Sequence, residues 1–199
     1  FGNLGIWNLE WFFAYLVLGP IFERGFIFDS YAFRKEKGTH RALERFDFFK
    51  RKASPRRFPN SGFILKADIK NYYPSVAHTI LISLIENKIK DKEIVCLVRR
   101  FLEKHSPSGK GISVGGPLSQ LFANIYLNQL DRFVKHVLKE RFYLRYCDDF
   151  VVLRNKRKPL DKTKDKIVAF LKTNLALEVN QDKTMIVSTN RGVDLLGYK

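Results

Sequence analysis

A pair of adjacent aspartates stands between two short apolar runs, and this arrangement constrains the fold more than any other feature of the sequence. The runs cover residues 142–146 and 150–153, and Cys147, Asp148 and Asp149 separate them. Short apolar runs joined by a brief polar connection are typical of a β-hairpin. We therefore predict a hairpin with two acids at its tip and an antiparallel sheet around it.

Strands and helices follow one another in mixed order around this hairpin. The predicted elements are a strand at 63–68, helices near 76–85 and 94–102, a long helix at about 117–139, a helix at about 161–175, and strands near 184–188 and 194–198. This order predicts an α+β fold, in which helices cover an antiparallel sheet, and argues against a doubly wound parallel sheet. Residues 111–116 match neither glycine-rich pattern of a nucleotide-phosphate loop, which argues against a dinucleotide-binding fold.

The overall composition indicates a folded protein that binds a polyanion. The 199 residues include 36 Lys plus Arg and 20 Asp plus Glu, which gives a net charge of +16, and 45% are hydrophobic, too many for a disordered polycation. The longest apolar run, 11–19, is shorter than the roughly 18 to 20 residues of a membrane span. Because the sequence also shows no secretion-signal pattern, we expect a cytoplasmic protein without a membrane segment.

Basic and aromatic residues are interleaved between residues 31 and 60. This segment holds ten Lys or Arg against three acids, with six Phe or Tyr among them. Such a pattern is typical of a groove that follows phosphates and offers flat faces to bases. The alternative is a solvated basic face that packs against the core through its aromatic side chains.

Three acids are expected to meet at one edge of the predicted sheet, because Asp68 ends a strand and Asp148 and Asp149 lie at the hairpin tip. Carboxylates that close repel one another unless a cation offsets their charge, and hard oxygen ligands suit Mg²⁺. Two such ions, roughly 3.5 to 4 Å apart, activate an attacking hydroxyl and stabilise the leaving oxygen in phosphoryl transfer. The alternatives are a solvated turn, a strand cap, or a glycosidase-type acid pair, which the basic composition disfavours.

Five blocks of sequence occur in the order of the palm motifs A to E of reverse transcriptases. The blocks are FILKADIKNYYPSV, ISVGGPLSQLFANIYLNQLD, YLRYCDDFVVL, LEVNQDKTMIV and LLGY, and SYAFRKEKGTHRAL resembles the fingers motif upstream of them. The chain resembles this family from about residue 20 to residue 198. The resemblance implies a right-hand polymerase with fingers at 1–62 and in part of 86–113, a palm at 63–199 whose antiparallel sheet is backed by helices, and no thumb in this chain.

The resemblance also implies roles for the acids and for one lysine. Asp68, Asp148 and Asp149 would be catalytic acids that hold two Mg²⁺ ions, for which Mn²⁺ can substitute, together with the backbone carbonyl of Ile69. Lys183 would donate a proton to the leaving pyrophosphate or pair with its charge. The alternative for Lys183 is a surface position among the 36 basic residues.

Five further residues match positions that bind the incoming nucleotide in this family. Tyr73 would exclude a 2′-hydroxyl by its volume, whereas Tyr72 beside it is interpreted as a core residue. The other four positions are Val114 and Gly115 of motif B and Arg34 and Lys37 of the fingers motif. The implied partners are an RNA template, a DNA or RNA primer and dNTPs.

Two remaining motif positions concern the primer and the subtype. Leu196, Gly197 and Tyr198 resemble the primer grip. Many relatives, including group II intron enzymes, have a Gln-Gly pair in motif B, whereas this chain has Val114-Gly115, which resembles diversity-generating retroelement enzymes. Those enzymes copy an RNA template unfaithfully at adenines and work with a small basic accessory protein.

The prediction is therefore an error-prone, RNA-directed DNA polymerase. The alternatives within the family are group II intron, CRISPR-associated and phage-defence reverse transcriptases, and an enzyme that extends without a template. Outside catalysis, the alternative is an RNA-binding maturase-like module. The intact set of acids argues against a pure RNA binder, because carboxylates repel its ligand.

Overall fold

A computed structural model of the protein describes residues 4–54, 62–191 and 194. Within them the chain forms two compact units. We call the part drawn from Phe1–Phe26 and Asn71–Gln129 the helical unit, and the part drawn from Ile27–Lys70 and Leu130–Lys199 the sheet unit. The residue bounds predicted for the fingers and the palm stay predictions.

The described elements are mostly helical. In chain order they are helices α1 (Leu4–Glu23) and α2 (Thr39–Ala53), strand β1 (Phe63–Asp68), helices α3 (Tyr72–Ser75), α4 (His78–Glu86), α5 (Lys92–His105) and α6 (Pro117–Arg132), strands β2 (Tyr143–Tyr146) and β3 (Asp149–Arg154), helix α7 (Arg157–Leu175) and strand β4 (Met185–Ser188). A π-helical turn (Phe133–Val137) continues α6, and a 3-10 turn (Thr189–Arg191) follows β4.

The helical unit is held together by aromatic packing between its helices. Trp11 of α1 meets Phe101 of α5 edge-on at 5.0 Å between ring centroids, and Phe101 meets Phe122 of α6 at 5.7 Å. The start of α5 is capped by Asp91, whose carboxylate accepts the N–H of Glu93 at 2.8 Å. None of the described helices combines the length and the apolar content that crossing a membrane requires.

The sheet unit confirms the predicted α+β class with its antiparallel sheet. Its described strands follow the order β2-β3-β1-β4, and every neighbouring pair is antiparallel. Helix α2 packs on the face that holds Ile64 and Val151, and α7 contacts β1, β3 and β4. Because helices supply apolar cover, the interior strands β1 and β3 are mostly buried, and only Phe63, Lys66, Asp149 and Arg154 are partly exposed.

The hairpin is confirmed, whereas two helix boundaries differ from prediction. The helix predicted over about 117–139 is regular only to Arg132, after which the Leu138 N–H bonds the Phe133 carbonyl five residues back. Helix α7 begins at Arg157, before the predicted start near 161. Pro159 does not prevent this, because N–H groups in the first turn of a helix have no partner within the helix. The strand predicted near 194–198 lies outside the described residues, apart from Asp194.

Candidate active site

The pairing of β1 with β3 brings two of the predicted acids face to face. Asp68 is the last residue of β1 and Asp149 the first of β3, and the antiparallel register places them directly opposite each other. Residues paired in this way have Cα atoms about 4.5 to 5.5 Å apart. The adjacent residue pair supports this register, since Ala67 pairs with Phe150 and both side chains are buried. The structure therefore places both carboxylates at one sheet edge.

The turn between β2 and β3 adds the third acid. Tyr146 pairs with Asp149, so Cys147 and Asp148 alone form the connection. Cys147 has a φ of 53°, a left-handed conformation that a residue with a Cβ adopts at a cost. Arg145 supports it, because its Nη1 donates to the Cys147 carbonyl at 2.9 Å. Asp148 is thus carried by a tight turn that a buried side chain holds.

A fourth charged group, Lys183, reaches the same edge from the segment before β4. This segment is tied to the end of β1, because the Asn180 N–H donates to the Asp68 carbonyl at 2.7 Å and the Lys70 N–H donates to the Glu178 carbonyl at 2.8 Å. The Lys183 Nζ lies 3.3 Å from the Asp68 carboxylate. Proximity to Asp68 thus joins Lys183 to the acids, although its side chain is 61% exposed.

The electrostatics of the site reflect burial and crowding of like charges. Burial raises the pKa of the Asp148 carboxyl, and the nearby Asp68 carboxylate raises it further. Burial also raises the pKa of Asp149, with Asp68 and Asp148 adding repulsion while Lys66 and Lys183 oppose it. The pKa of Lys183 is raised by its hydrogen bond to Asp68 and by the charge of that carboxylate. The acids therefore favour a nearby positive charge.

These acids fit a divalent metal in their chemistry. Their oxygens are hard ligands, and the repulsion that raises the pKa of Asp148 and Asp149 is what a bound cation relieves. Among the residues that the structure describes, no three His, Cys, Asp or Glu side chains are already gathered around one metal position. Ile69, the predicted backbone ligand, follows Asp68 directly and bridges to Val179.

Sequence reasoning missed a buried ion pair beneath the acid-bearing turn. Arg145 and Asp131 are 1% and 0% exposed, and the guanidinium binds both carboxylate oxygens, at 2.8 and 2.7 Å. The Tyr143 hydroxyl donates to the same carboxylate at 2.7 Å. The available signals were an arginine inside an apolar strand pattern and an aspartate that interrupts the apolar stripe of a helix. Neither signal identifies the partner of the other.

Arg34 and Lys37 lie in the sheet unit and contact the chain just before them. Arg34 Nη1 donates to the carbonyls of Ile27 at 2.6 Å and Ser30 at 2.8 Å. Lys37 Nζ donates to the Phe28 carbonyl at 2.9 Å and stands 3.5 Å from the centre of its ring. In this structure both residues order the segment 27–30, and their role toward a nucleotide stays a prediction.

The other nucleotide-binding candidates lie in the helical unit. Tyr73 is half-buried and meets the ring of Tyr72, which is buried as predicted and donates to the Ala123 carbonyl at 2.6 Å. Val114 is 80% exposed and borders a cleft of about 480 Å³. Gly115 has a φ of +106°, a conformation that favours glycine. The predicted primer grip, 196–198, lies outside the described residues.

The fold and the acids define the palm of a right-hand polymerase: an antiparallel sheet backed by helices, with paired carboxylates at the tip of a hairpin. The sequence pattern of the family described as reverse transcriptase (RNA-dependent DNA polymerase) matches residues 16–199. The chain belongs to this family. The predicted class of enzyme, an RNA-directed DNA polymerase, is therefore confirmed at the level of the family.

Curated relatives support the same assignment. The chain is 24% identical to the group II intron-encoded protein LtrA of Lactococcus lactis, over 92% of this chain and 41% of LtrA. It is also 24% identical to the protein YkfC of Escherichia coli, over 92% of this chain and 58% of YkfC. The chain thus spans about half the length of these relatives.

A solved structure supports the fold. Apo telomerase from Candida tropicalis superposes with a TM-score of 0.68 at 15% identity, over 94% of this chain and 38% of the telomerase chain. At this identity the likeness concerns the fold alone. The fingers and palm architecture predicted from the motifs is thereby confirmed.

Proposed function

We propose that this chain carries the nucleotidyl-transfer centre of an RNA-directed DNA polymerase that uses two Mg²⁺ ions, with Mn²⁺ able to replace them. The observation that carries this proposal is the pairing of Asp68 with Asp149, with Asp148 on the adjoining turn. Family membership supports the reaction, and the net charge of +16 supports a nucleic-acid substrate. The partners proposed for the whole protein are an RNA template, a DNA or RNA primer and dNTPs.

The side chains divide the chemistry at the sheet edge. Asp68, Asp148, Asp149 and the Ile69 carbonyl would hold the metal, which, when bound, activates the primer hydroxyl and neutralises charge on the phosphates. Lys183 presents an ammonium 3.3 Å from Asp68, at the place where negative charge is concentrated. From there Lys183 protonates the departing pyrophosphate or balances its charge. The Asp68–Lys183 contact therefore supports a role for this lysine in the transfer step.

The proposed nucleotide contacts divide by residue type. Tyr73 excludes ribonucleotides by the volume of its ring, and Val114 with Gly115 faces the incoming nucleotide. Arg34 and Lys37 act on the triphosphate or template through the segment 27–30 that they order. Exchange of Tyr73 for alanine, with phenylalanine as the volume-conserving control, should admit NTPs only in the alanine variant.

Primer extension on an RNA template, run with dNTPs or NTPs and with Mg²⁺ or Mn²⁺, tests the proposed reaction. We expect metal-dependent extension by the parent protein with dNTPs. Asp148→Asn should abolish it, whereas Asp165→Asn, which removes an exposed carboxylate from α7, should not. Extension that Asp148→Asn leaves intact would reject the proposed site. RNA binding without any extension by the parent would instead favour the maturase-like module.

For the subtype, we propose an error-prone enzyme of the diversity-generating retroelement type. The support is Val114 in motif B, an exposed apolar side chain where many relatives have an amide that hydrogen-bonds. Loss of a fixed polar contact weakens discrimination between nucleotides. A small basic accessory protein is the further partner that this subtype implies.

A group II intron enzyme is the second candidate, because LtrA, a group II intron-encoded protein, is similar over 92% of this chain. The two candidates differ in fidelity. Sequencing of products made on an RNA template separates them, since errors concentrated opposite adenine favour the first candidate. An even and low error rate favours the second.

A further inference from the structure

We propose that Arg145 is a positioning residue that fixes the turn carrying Asp148 and thereby sets the affinity of the acids for a divalent metal. The inference rests on the proposed function, because it assumes that Asp148 is a metal ligand. Arg145 itself does not touch the reacting groups. It acts through the backbone carbonyl of Cys147, which immediately precedes Asp148.

The anchor of Arg145 is rigid and fully buried. Its Nε and Nη2 bind the two oxygens of Asp131 at 2.8 and 2.7 Å, and Nη2 also donates to the Ser30 hydroxyl at 3.1 Å. The backbone of Arg145 is fixed as well, because its N–H donates to the Asp29 carbonyl and its own carbonyl accepts the Tyr31 N–H. A buried ion pair is tolerated when its hydrogen-bonding groups are satisfied, as these are.

The third guanidinium nitrogen of Arg145, Nη1, contacts the turn. It donates to the Cys147 carbonyl at 2.9 Å, and Cys147 holds the left-handed φ of 53°. Backbone conformations of this kind persist only where the surroundings enforce them, and such residues cluster at functional sites. The enforcing group here is a guanidinium whose other end is locked to α6. The direction in which Asp148 leaves the turn therefore depends on Arg145.

Arginine alone has the geometry for this task. A guanidinium presents five N–H donors in a planar fork, so it can hold a carboxylate with one side and a carbonyl with the other. A lysine retains the charge and can still pair with Asp131, but its single ammonium cannot hold both partners in fixed directions. Arg145→Lys therefore separates the turn-fixing bond from the buried charge.

Arg154 offers a matched control on the same hairpin. It binds Glu140 with two hydrogen bonds of 2.8 and 2.9 Å, and the Glu140 side chain is 2% exposed. Arg154 lies at the opposite end of β3 from Asp149. Arg154→Lys thus weakens a second bidentate arginine–carboxylate pair without touching the turn, although the Arg154 side chain is 37% exposed and that of Arg145 only 1%.

The test is a titration of the full chain with Mn²⁺ in the absence of nucleic acid and dNTP. Electron paramagnetic resonance of the free ion measures how much Mn²⁺ is bound. We expect Arg145→Lys to weaken the Asp148-dependent binding by at least about tenfold, as loss of support for a metal ligand does. Arg154→Lys should leave the affinity unchanged. Thermal unfolding of both variants checks that the chains are folded.

Tyr143→Phe tests the positioning role of Arg145 if Arg145→Lys does not fold. It keeps the buried ring and removes only the hydrogen bond to Asp131 that steadies the anchor. We expect a smaller loss of affinity in the same direction, about threefold, since one net hydrogen bond is worth less than tenfold.

The outcomes separate this inference from the proposed function. Mn²⁺ binding that needs Asp148 but is unchanged in Arg145→Lys and Tyr143→Phe overturns the positioning role alone. Equal weakening by Arg145→Lys and Arg154→Lys also overturns it, because the effect is then general destabilisation. A parent that binds Mn²⁺ through Asp148 yet extends no primer overturns the proposed function alone. A parent without Asp148-dependent binding overturns both.

Discussion

The two units of the protein hold their candidate functional residues in opposite ways. In the sheet unit, strand register and the buried Arg145–Asp131 pair fix the acids from beneath. In the helical unit, Val114 is 80% exposed, and a Cβ built on Gly115 meets nothing within 4 Å. Carboxylates that lie close together must be held in place by their surroundings, because they repel one another. The loop that holds Val114 and Gly115 has few contacts that restrict its side chains. We expect substitutions in the sheet unit to act on catalysis and those in the loop to act on selectivity.

The largest expected effect is that of Asp68→Asn on primer extension. The substitution keeps the shape of the side chain but removes a charge on which a metal depends, so we expect a loss of about a thousandfold or more. Thermal stability should change little, since the substitution gives up a contact with the exposed Lys183 but also relieves the repulsion between Asp68 and the other two acids. Activity above a tenth of the parent value would show that the sheet edge is not the catalytic centre.

Unfolding at alkaline pH tests a buried position in the helical unit, the hydroxyl of Tyr126. Burial raises the pKa of Tyr126 to about 12, although the Ala77 N–H that donates to its hydroxyl opposes the shift. The folded protein therefore keeps a proton that the unfolded chain loses near pH 10. This contribution to stability is complete below pH 10 and is lost as the pH rises through 12, about 2 to 3 kcal/mol in all.

Tyr126→Phe removes this titration. Urea unfolding between pH 9 and 12 should show a shallower fall in the free energy of unfolding for Tyr126→Phe than for the parent. Between pH 7 and 9 the two proteins should respond to pH in parallel, which serves as the internal control. Identical alkaline slopes would mean that Tyr126 is ionised as readily in the folded protein as in the unfolded chain.

The neighbouring glycines of the motif B loop give a smaller and sharper contrast. Gly115 has a φ of +106°, so Gly115→Ala should cost about 1 kcal/mol or more of stability. The Cβ of an alanine at Gly116 meets nothing within 4 Å, and we expect a change within about 0.5 kcal/mol. Equal effects in urea unfolding would show that the loop rearranges freely around either residue.

The smallest effect on stability, and the most specific one on function, is expected from Val114→Gln. Because Val114 is exposed, the free energy of unfolding should change by less than about 0.5 kcal/mol. An added amide should lower misincorporation opposite template adenine, measured by sequencing extension products. An unchanged error spectrum would remove the support for the diversity-generating subtype.

Local pattern was sufficient to predict strands β1 to β4 and the meeting of Asp68 with Asp149. Strand β1 and the two hairpin strands are short apolar runs. Asp68 stands at the end of the first run and Asp149 just before the last, so antiparallel pairing of the two brings these acids together. Helix α2 was not predicted, because its charged face outweighs the apolar positions Ala42, Phe46 and Phe49. Its cover over the sheet becomes evident only when the strands are present.

Interactions that depend on tertiary contact escaped prediction. Arg145 and Asp131 lie on a strand and a helix, and no spacing rule relates residues on different elements. The π-helical turn after Arg132 was hidden for another reason, since its apolar residues continue the helical stripe. Lys183 was predicted from a resemblance, while its contact with Asp68 depends on how the segment 178–183 attaches to β1.

The register of β1 against β3 makes folding and chemistry inseparable. A slip of β1 by one residue would turn Ile64 away from the face that it shares with Leu153 and separate Asp68 from Asp149 in the same movement. No alignment that is wrong by one residue retains both the pairing of the acids and the packing of Ile64 against α2. Copies of the chain that misalign therefore lose core packing and the geometry of the acids together, so selection for a stable fold also maintains the placement of the acids.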